Sequence, residues 1–360
     1  MSKTTNGEGP VPTRPLGLRR GDLVEVRSAE EILATLDDSG AIDALPCMPE
    51  LLEYAGQRFR VEARADKTCD TINYSGSRRL FDTVHLEGIR CSGKAHGGCE
   101  AQCSVFWKEA WLKRVEGKTP APRPTTAATA PTAMTRERLA ALTQRAPEAG
   151  ETDVRYRCQA TDLLLASTPI RWWDLRQYWR DVWTGNVGLL AVVRAALFRI
   201  FLKTLRIGGY RAQMWCYNRL QAWRGATPYP YTQGTLDKTP CETLDLTPGE
   251  YVRVKEQHEI LKTVNARNRN RGLSFDPEMV RYCGKVHEVR ARVGRIIDER
   301  NGKMLPIASD CIILEGAVCC AEYSNKRLFC PRRLYPYWRE IWLERVPAPT
   351  GAPQTTQTTT

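Results

Sequence analysis

Apolar and polar positions alternate in GDLVEVR (residues 21–27) and again in GEYVRVK (249–255), the two-residue period of a half-buried strand. In each case a run with helical spacing follows, EEILATL or HEILKTV. Ser28 and Glu31 stand in capping-box spacing, so each side chain can satisfy a free backbone N–H at the helix start. A further helical turn is predicted from Pro49, and from Pro277, where a missing N–H costs nothing. It should end at Gly56, or Gly284, which can take the left-handed cap conformation. QRFRVEARA alternates once more, with Phe59, Val61 and Ala63 on one face, and TVHLEGIRC and AWLKRV read as further strands.

The elements recur because the sequence does. Residues 21–91 return as 249–319 without a gap, with 22 of 71 positions identical, and FWKEAWLKRV (106–115) returns as YWREIWLERV (337–346). The expected fold class is α+β, with two homologous small β-rich domains flanking a helical middle region. Several short strands in so small a repeat suggest an SH3-like barrel, whose closure would remove exposed sheet edges. The organisation that follows is a disordered leader (1–20), a first repeat (21–115) and a Pro/Thr-rich linker (116–134). A basic, Trp-rich helical region (135–247), opening on a short helix near 135–144, precedes the second repeat (248–346) and a disordered tail (347–360).

Charge narrows the range of partners. A net charge of +12 and a pI near 9.2 favour an anionic one, either nucleic acid or an acidic membrane surface. The amino terminus has no apolar stretch of signal-peptide type. Thirteen cysteines without an export signal point to the cytoplasm, where clustered thiols serve as metal ligands or core residues more often than as disulfides.

The first repeat carries Cys69, His85, Cys91, His96, Cys99 and Cys103, four of them within CSGKAHGGCEAQC. Gly93, Gly97 and Gly98 let the backbone turn tightly, as a ligand loop must. Four thiolates, or three with an imidazole from His96 or His85, can complete a tetrahedral zinc shell. An iron–sulfur cluster on Cys69, Cys91, Cys99 and Cys103 is the alternative. In the second repeat Cys69 aligns with Ile297, His85 with Ile313 and Cys103 with Leu334, while Cys91 and Cys99 align with Cys319 and Cys330. His96 has no counterpart. Replacement of several ligands by aliphatic residues is what a lost site filled with hydrocarbon should look like. Small buried thiols are the competing explanation, favoured for Cys319 and Cys330. Cys47, Cys158, Cys216, Cys241, Cys283, Cys311 and Cys320 have no ligand spacing and are expected to be structural.

Six of the ten tryptophans lie between Trp172 and Trp223, and no acidic residue occurs between Val182 and Leu236. GLLAVVRAALFRIFLKTL predicts a helix with Arg199, Lys203 and Arg206 on one face, Arg194 beside that stripe, and Val193, Leu197 and Ile200 on another. An apolar face of that width predicts a helix packed inside the protein. Arg194, Arg199, Lys203 and Arg206 on a membrane surface, their charges against lipid phosphates, are the second reading. Arginines and aromatics tracking single-stranded nucleic acid are a third, which no motif supports.

No P-loop, GxGxxG, GxSxG or HExxH occurs, and no carboxylate or histidine spacing assigns a reaction. The strings MPELLEYAGQRFRV, ADKTCDT, HLEGIRCSGKAHGGCEAQCSVFWKEAWLKRV and YRCQATDLLLASTPIRWWDLRQYWRD resemble those of a family of uncharacterised bacterial proteins. That resemblance implies a bacterial cytosolic protein and no particular activity. The expected function is a metal-stabilised binding or scaffolding protein with a basic interaction surface, its partner another protein or an anionic surface. A redox or metal-dependent enzyme with an open metal position, and a peripheral membrane protein, are the alternatives.

Overall fold

The computed structural model describes residues 15–115, 134–147, 153–204, 210–223, 229–323 and 326–349. Most of the expected leader, the linker up to 133, the tail from 350, and Arg206 lie outside the described residues. The described chain mixes helix with several small antiparallel sheets. It divides into two compact units: Met1–Cys99 with Ser104–Val187 and Ile297–Met304, and Glu100–Cys103 with Gly188–Ile296 and Leu305–Thr360.

In the first unit the strand Leu23–Val26 belongs to a five-stranded antiparallel sheet, second from its edge. It pairs with Arg58–Arg64 on one side and Leu112–Arg114 on the other. Arg58–Arg64 continues to Thr83–Leu86, which pairs with Trp107–Lys108. Alternation sets the faces: Val24 and Val26 are buried while Leu23 and Glu25 are half-buried. A register shift between Val61 and Ala63 bends the strand and leaves both residues buried. Ile32, Leu51, Trp107, Trp111 and Leu112 complete the core.

The local signals read from the sequence hold here. Ser28 and Glu31 form the reciprocal capping box at the helix Ala29–Leu33. Pro49 opens a six-residue 3-10 turn, Pro49–Tyr54, followed by Gly56 at φ +74°. Glu109 is buried and clamps the incoming chain. It accepts the N–H of Gly17 at 3.0 Å and of Leu18 at 2.7 Å, and pairs with the Arg64 guanidinium.

A separate three-stranded sheet of Lys67–Cys69, Ser77–Arg79 and Thr168–Pro169 also belongs to this unit, as does the helix Arg176–Trp183.

The second unit runs through the same series. Tyr251–Val254 pairs with Val286–Arg292 and Leu343–Val346, and Val286–Arg292 pairs with Ile312–Leu314. The register shift recurs between Val289 and Ala291. Where the first sheet has the Trp107–Lys108 strand, this one has an isolated bridge, Ile312 to Trp338. Pro277–Tyr282 is again a 3-10 turn, with Gly284 at φ +74°. Glu340 repeats the clamp on the N–H groups of Leu244, Asp245 and Leu246, with Arg292 as its cation.

The middle region departs from expectation. The helix Leu189–Thr204 forms as predicted, but its apolar residues are not core: Leu190 is 85 % exposed, and Leu197 and Ile200 are exposed as well. On the helix Tyr210–Trp223, Trp215, Leu220 and Trp223 are also exposed. Periodicity reports that a face is apolar and not what covers it, so the internal packing expected for this helix is corrected. No described helix is long and apolar enough to cross a membrane.

Candidate metal centre

Three elements of the first unit bring Glu50, Cys91 and His96 together. Glu50 is the second residue of the turn Pro49–Tyr54, and because Leu51 and Leu52 anchor that turn in the core, the carboxylate is drawn in with them. Cys91 follows Arg90, whose bridge to Ser104 fixes the chain beyond the strand Thr83–Leu86. His96 lies in the glycine-rich loop. The Gly93 carbonyl accepts the N–H groups of His96 at 3.1 Å and Gly98 at 2.9 Å, closing the loop on itself. Gly93 has φ +71°, and a Cβ there would stand 2.0 Å from the Cys99 carbonyl oxygen, so no other residue fits without moving the backbone. The Thr143 hydroxyl holds the loop from outside, donating to the Ala95 carbonyl at 2.7 Å.

One donor atom from each of the three residues lies within 4.8 Å of the others. Cys91 Sγ is 3.4 Å from His96 Nε2 and 3.7 Å from Glu50 Oε1, and Glu50 Oε1 is 3.5 Å from His96 Nδ1. Around a tetrahedral zinc with bonds of about 2.0–2.3 Å, ligand atoms stand roughly 3.5 Å apart. Thiol and carboxylate approach different ring nitrogens, so the ring presents its edge to both and one nitrogen would take the ion.

The electrostatics leave the imidazole able to ligate a cation. Burial holds the His96 imidazole well below its ordinary value, at about 4, so the ring is neutral and able to ligate. Burial also pushes the Glu50 carboxyl up. The approach of Glu50 to His96 is therefore not a charged pair, and His96 Nδ1 makes no hydrogen bond there; nor does the buried Glu50 Oε2. Buried polar atoms left in that state are costly, and a bound cation would engage them. The same groups could line up as nucleophile, base and orienting carboxylate. In such a relay, however, the carboxylate serves the imidazole alone, whereas Glu50 Oε1 also faces the Cys91 thiol directly.

Of the residues expected as ligands, Cys91 and His96 are brought together. Cys69, Cys99, Cys103 and His85 do not join this group. Cys69 is buried at the end of the strand Lys67–Cys69. Cys99 is buried, its Sγ accepting the Ile297 N–H at 3.4 Å. Cys103 belongs to the second unit. His85 directs Nδ1 at the Val105 carbonyl, 2.8 Å away, and packs on Phe106. Among the cysteines expected to be structural, Cys47, Cys158 and Cys311 are buried, whereas Cys216 and Cys241 are exposed.

Glu50 is the member of this group that sequence reasoning missed. Its counterpart Glu278 is also buried, but there Oε1 accepts the Tyr323 N–H at 2.7 Å. The available signal was a carboxylate held in common at the second position of both apolar turns. The proposed anion-binding stripe is less regular than expected: Arg194 is exposed and 3.7 Å from Glu322, Arg199 is half-buried, and Lys203 lies on the helix Leu189–Thr204. In comparisons with known proteins, no family model matches this chain, and no curated protein or solved structure is similar to it.

Proposed function

We propose that Glu50, Cys91 and His96 hold one zinc ion that organises the glycine-rich loop of a non-catalytic binding protein. One donor atom each from buried Glu50, half-buried Cys91 and buried His96, all within 4.8 Å of one another, supports this reading. That donor set suits a borderline-soft divalent ion, and binding would favour the thiolate and carboxylate forms. A single thiol is present in the group, so an iron–sulfur cluster, which asks for four thiolates, fits it less well. Three protein donors leave a fourth position. His96 is 1 % exposed and Glu50 6 % exposed, which favours a structural role over turnover of a substrate. On this reading the two sheets are copies of one small barrel-like module, and only the first retains a metal.

Elemental analysis of the full chain should find one zinc per molecule. It should be lost in Cys91→Ser and His96→Ala, and cobalt substitution should give a thiolate-to-metal absorption band absent from Cys91→Ser. Stoichiometric metal retained in both variants would reject the site.

The exposed apolar residues of Leu189–Thr204 and Tyr210–Trp223, in a stretch without acids, favour a second reading: docking on an acidic lipid surface. Co-sedimentation with acidic but not neutral vesicles, weakened by Leu190→Glu and Leu197→Glu, is the expected result. Failure to sediment with either kind of vesicle would reject it.

A further inference from the structure

A cavity of about 340 Å3 opens within the first unit, lined by five cationic side chains, Arg19, Arg64, Lys67, Arg79 and Arg180, and two acidic ones, Asp66 and Asp181. Its size suits a small metabolite. Both acids are already committed. Asp66 pairs with Arg64, which also holds Glu109 and the Leu18 carbonyl. Asp181 pairs with Lys67, and both are at least nine-tenths buried.

The remaining three cations are weakly matched. Arg79 stands 3.9 Å from Asp174, a carboxylate that Arg176 holds more closely at 2.9 Å. Arg19 and Arg180 are exposed and have no carboxylate partner among the described residues. Five cations less two acids leave the lining with a charge of +3. One wall is aromatic: Trp183 lines the cavity, with the Arg19 guanidinium 4.5 Å from its ring centroid. A buried lysine–carboxylate pair is costly to desolvate and a poor source of stability compared with hydrocarbon. Its place in the lining of a cation-rich cavity is better explained by a ligand.

We propose that this cavity binds a small molecule carrying a compact oxyanion, phosphate or carboxylate, on a planar body. The oxyanion sits among Arg19, Arg79 and Arg180, and the planar body lies along Trp183. Arginine forks suit such oxyanions bidentately, and a ring on Trp183 adds stacking.

Isothermal titration of the full chain with phenyl phosphate, benzoate and neutral phenol tests this. Phenyl phosphate or benzoate should bind at least tenfold more tightly than phenol, and the tighter of the two identifies the anion. Arg180→Ala and Arg19→Ala lie at exposed positions, so melting should be unchanged while affinity for the anionic probe falls at least fivefold in each. Equal binding of phenol, no binding of either anion at millimolar concentration, or unchanged affinity in both variants would overturn the proposal. Zinc content is measured alongside, so that loss of the metal and loss of the anion are read separately.

Discussion

Glu109→Gln and Glu340→Gln keep the size of each buried clamp and remove its charge. Glu109 is 2 % exposed and accepts two backbone N–H groups besides the Arg64 guanidinium. A glutamine amide must turn its NH2 toward at least one of these donors, leaving that donor unpaired. An unsatisfied buried group costs about 1–3 kcal/mol, and removing one member of a buried ion pair costs about 3–5 kcal/mol. Arg64 keeps Asp66 and Asp82, so the loss should fall near the lower end, about 2–3 kcal/mol. Glu340 is fully buried and serves three backbone N–H groups, but the Arg292 side chain is 40 % exposed, so water covers part of the charge lost. A loss of about 3 kcal/mol is expected there too. Glu344→Gln is the control, because Glu344 and its partner Arg253 are both substantially exposed and the pair should contribute less than about 1 kcal/mol. Urea unfolding gives the totals, and hydrogen exchange localises them. Protection should fall at Gly17 and Leu18 in the first variant, and at residues 244–246 in the second. Losses no larger than the control, with unchanged exchange at these amides, would refute the reasoning.

Trp342 Nε1 donates to Thr263 Oγ1 at 2.9 Å, whereas the indole N–H of its counterpart Trp111 is buried without a hydrogen bond. Replacement by Phe should therefore cost about 1 kcal/mol more at Trp342 than at Trp111 in chemical denaturation; equal costs would contradict this. Gly93→Ala forces a side chain into both a positive φ and the Cys99 carbonyl, so it should destabilise the loop by about 1–3 kcal/mol and weaken metal retention. Burial raises the Asp181 carboxyl to about 6, outweighing the neighbouring Lys67 ammonium. A carboxyl with a folded value above its unfolded one stabilises the fold while protonated. That contribution is complete below about pH 4 and is lost as pH rises through 6, a change of about 3 kcal/mol. The difference in pH slope between the parent chain and Asp181→Asn isolates it, and identical slopes would count against the raised value.

What the sequence made legible is what local chemistry decides. Strand alternation around Val24 and Val252, the Ser28–Glu31 capping box and the Pro49 and Pro277 turns depend on near neighbours, and each forms as read. The candidate metal group was half legible. Cys91 and His96 are five residues apart across a required glycine, so their meeting is local. Glu50 is 41 residues from Cys91, and only the tertiary fold joins them. Cys99 and Cys103 were expected in one ligand set, but Cys99 belongs to the first compact unit and Cys103 to the second. The packing expected for the helix Leu189–Thr204 failed for another reason: pattern fixes which side is apolar, while covering it depends on elements elsewhere in the chain.

The two turn glutamates, Glu50 and Glu278, sharpen the metal reading into a test of sign. Glu278 and Glu50 are both pushed up by burial, yet Glu278 has a backbone donor at 2.7 Å while Glu50 Oε1 faces the Cys91 thiol at 3.7 Å and the His96 ring at 3.5 Å. Without an ion, the Glu50 charge is poorly compensated, so Glu50→Gln should leave melting of the chelator-treated chain unchanged or raise it. With zinc present the same change removes a ligand and should lower melting. Glu278→Gln can keep the Tyr323 contact through its carbonyl oxygen and should behave alike with and without zinc. If Glu50→Gln lowers melting equally in both conditions, its carboxylate supports the turn alone, and the thiol and imidazole beside it hold nothing.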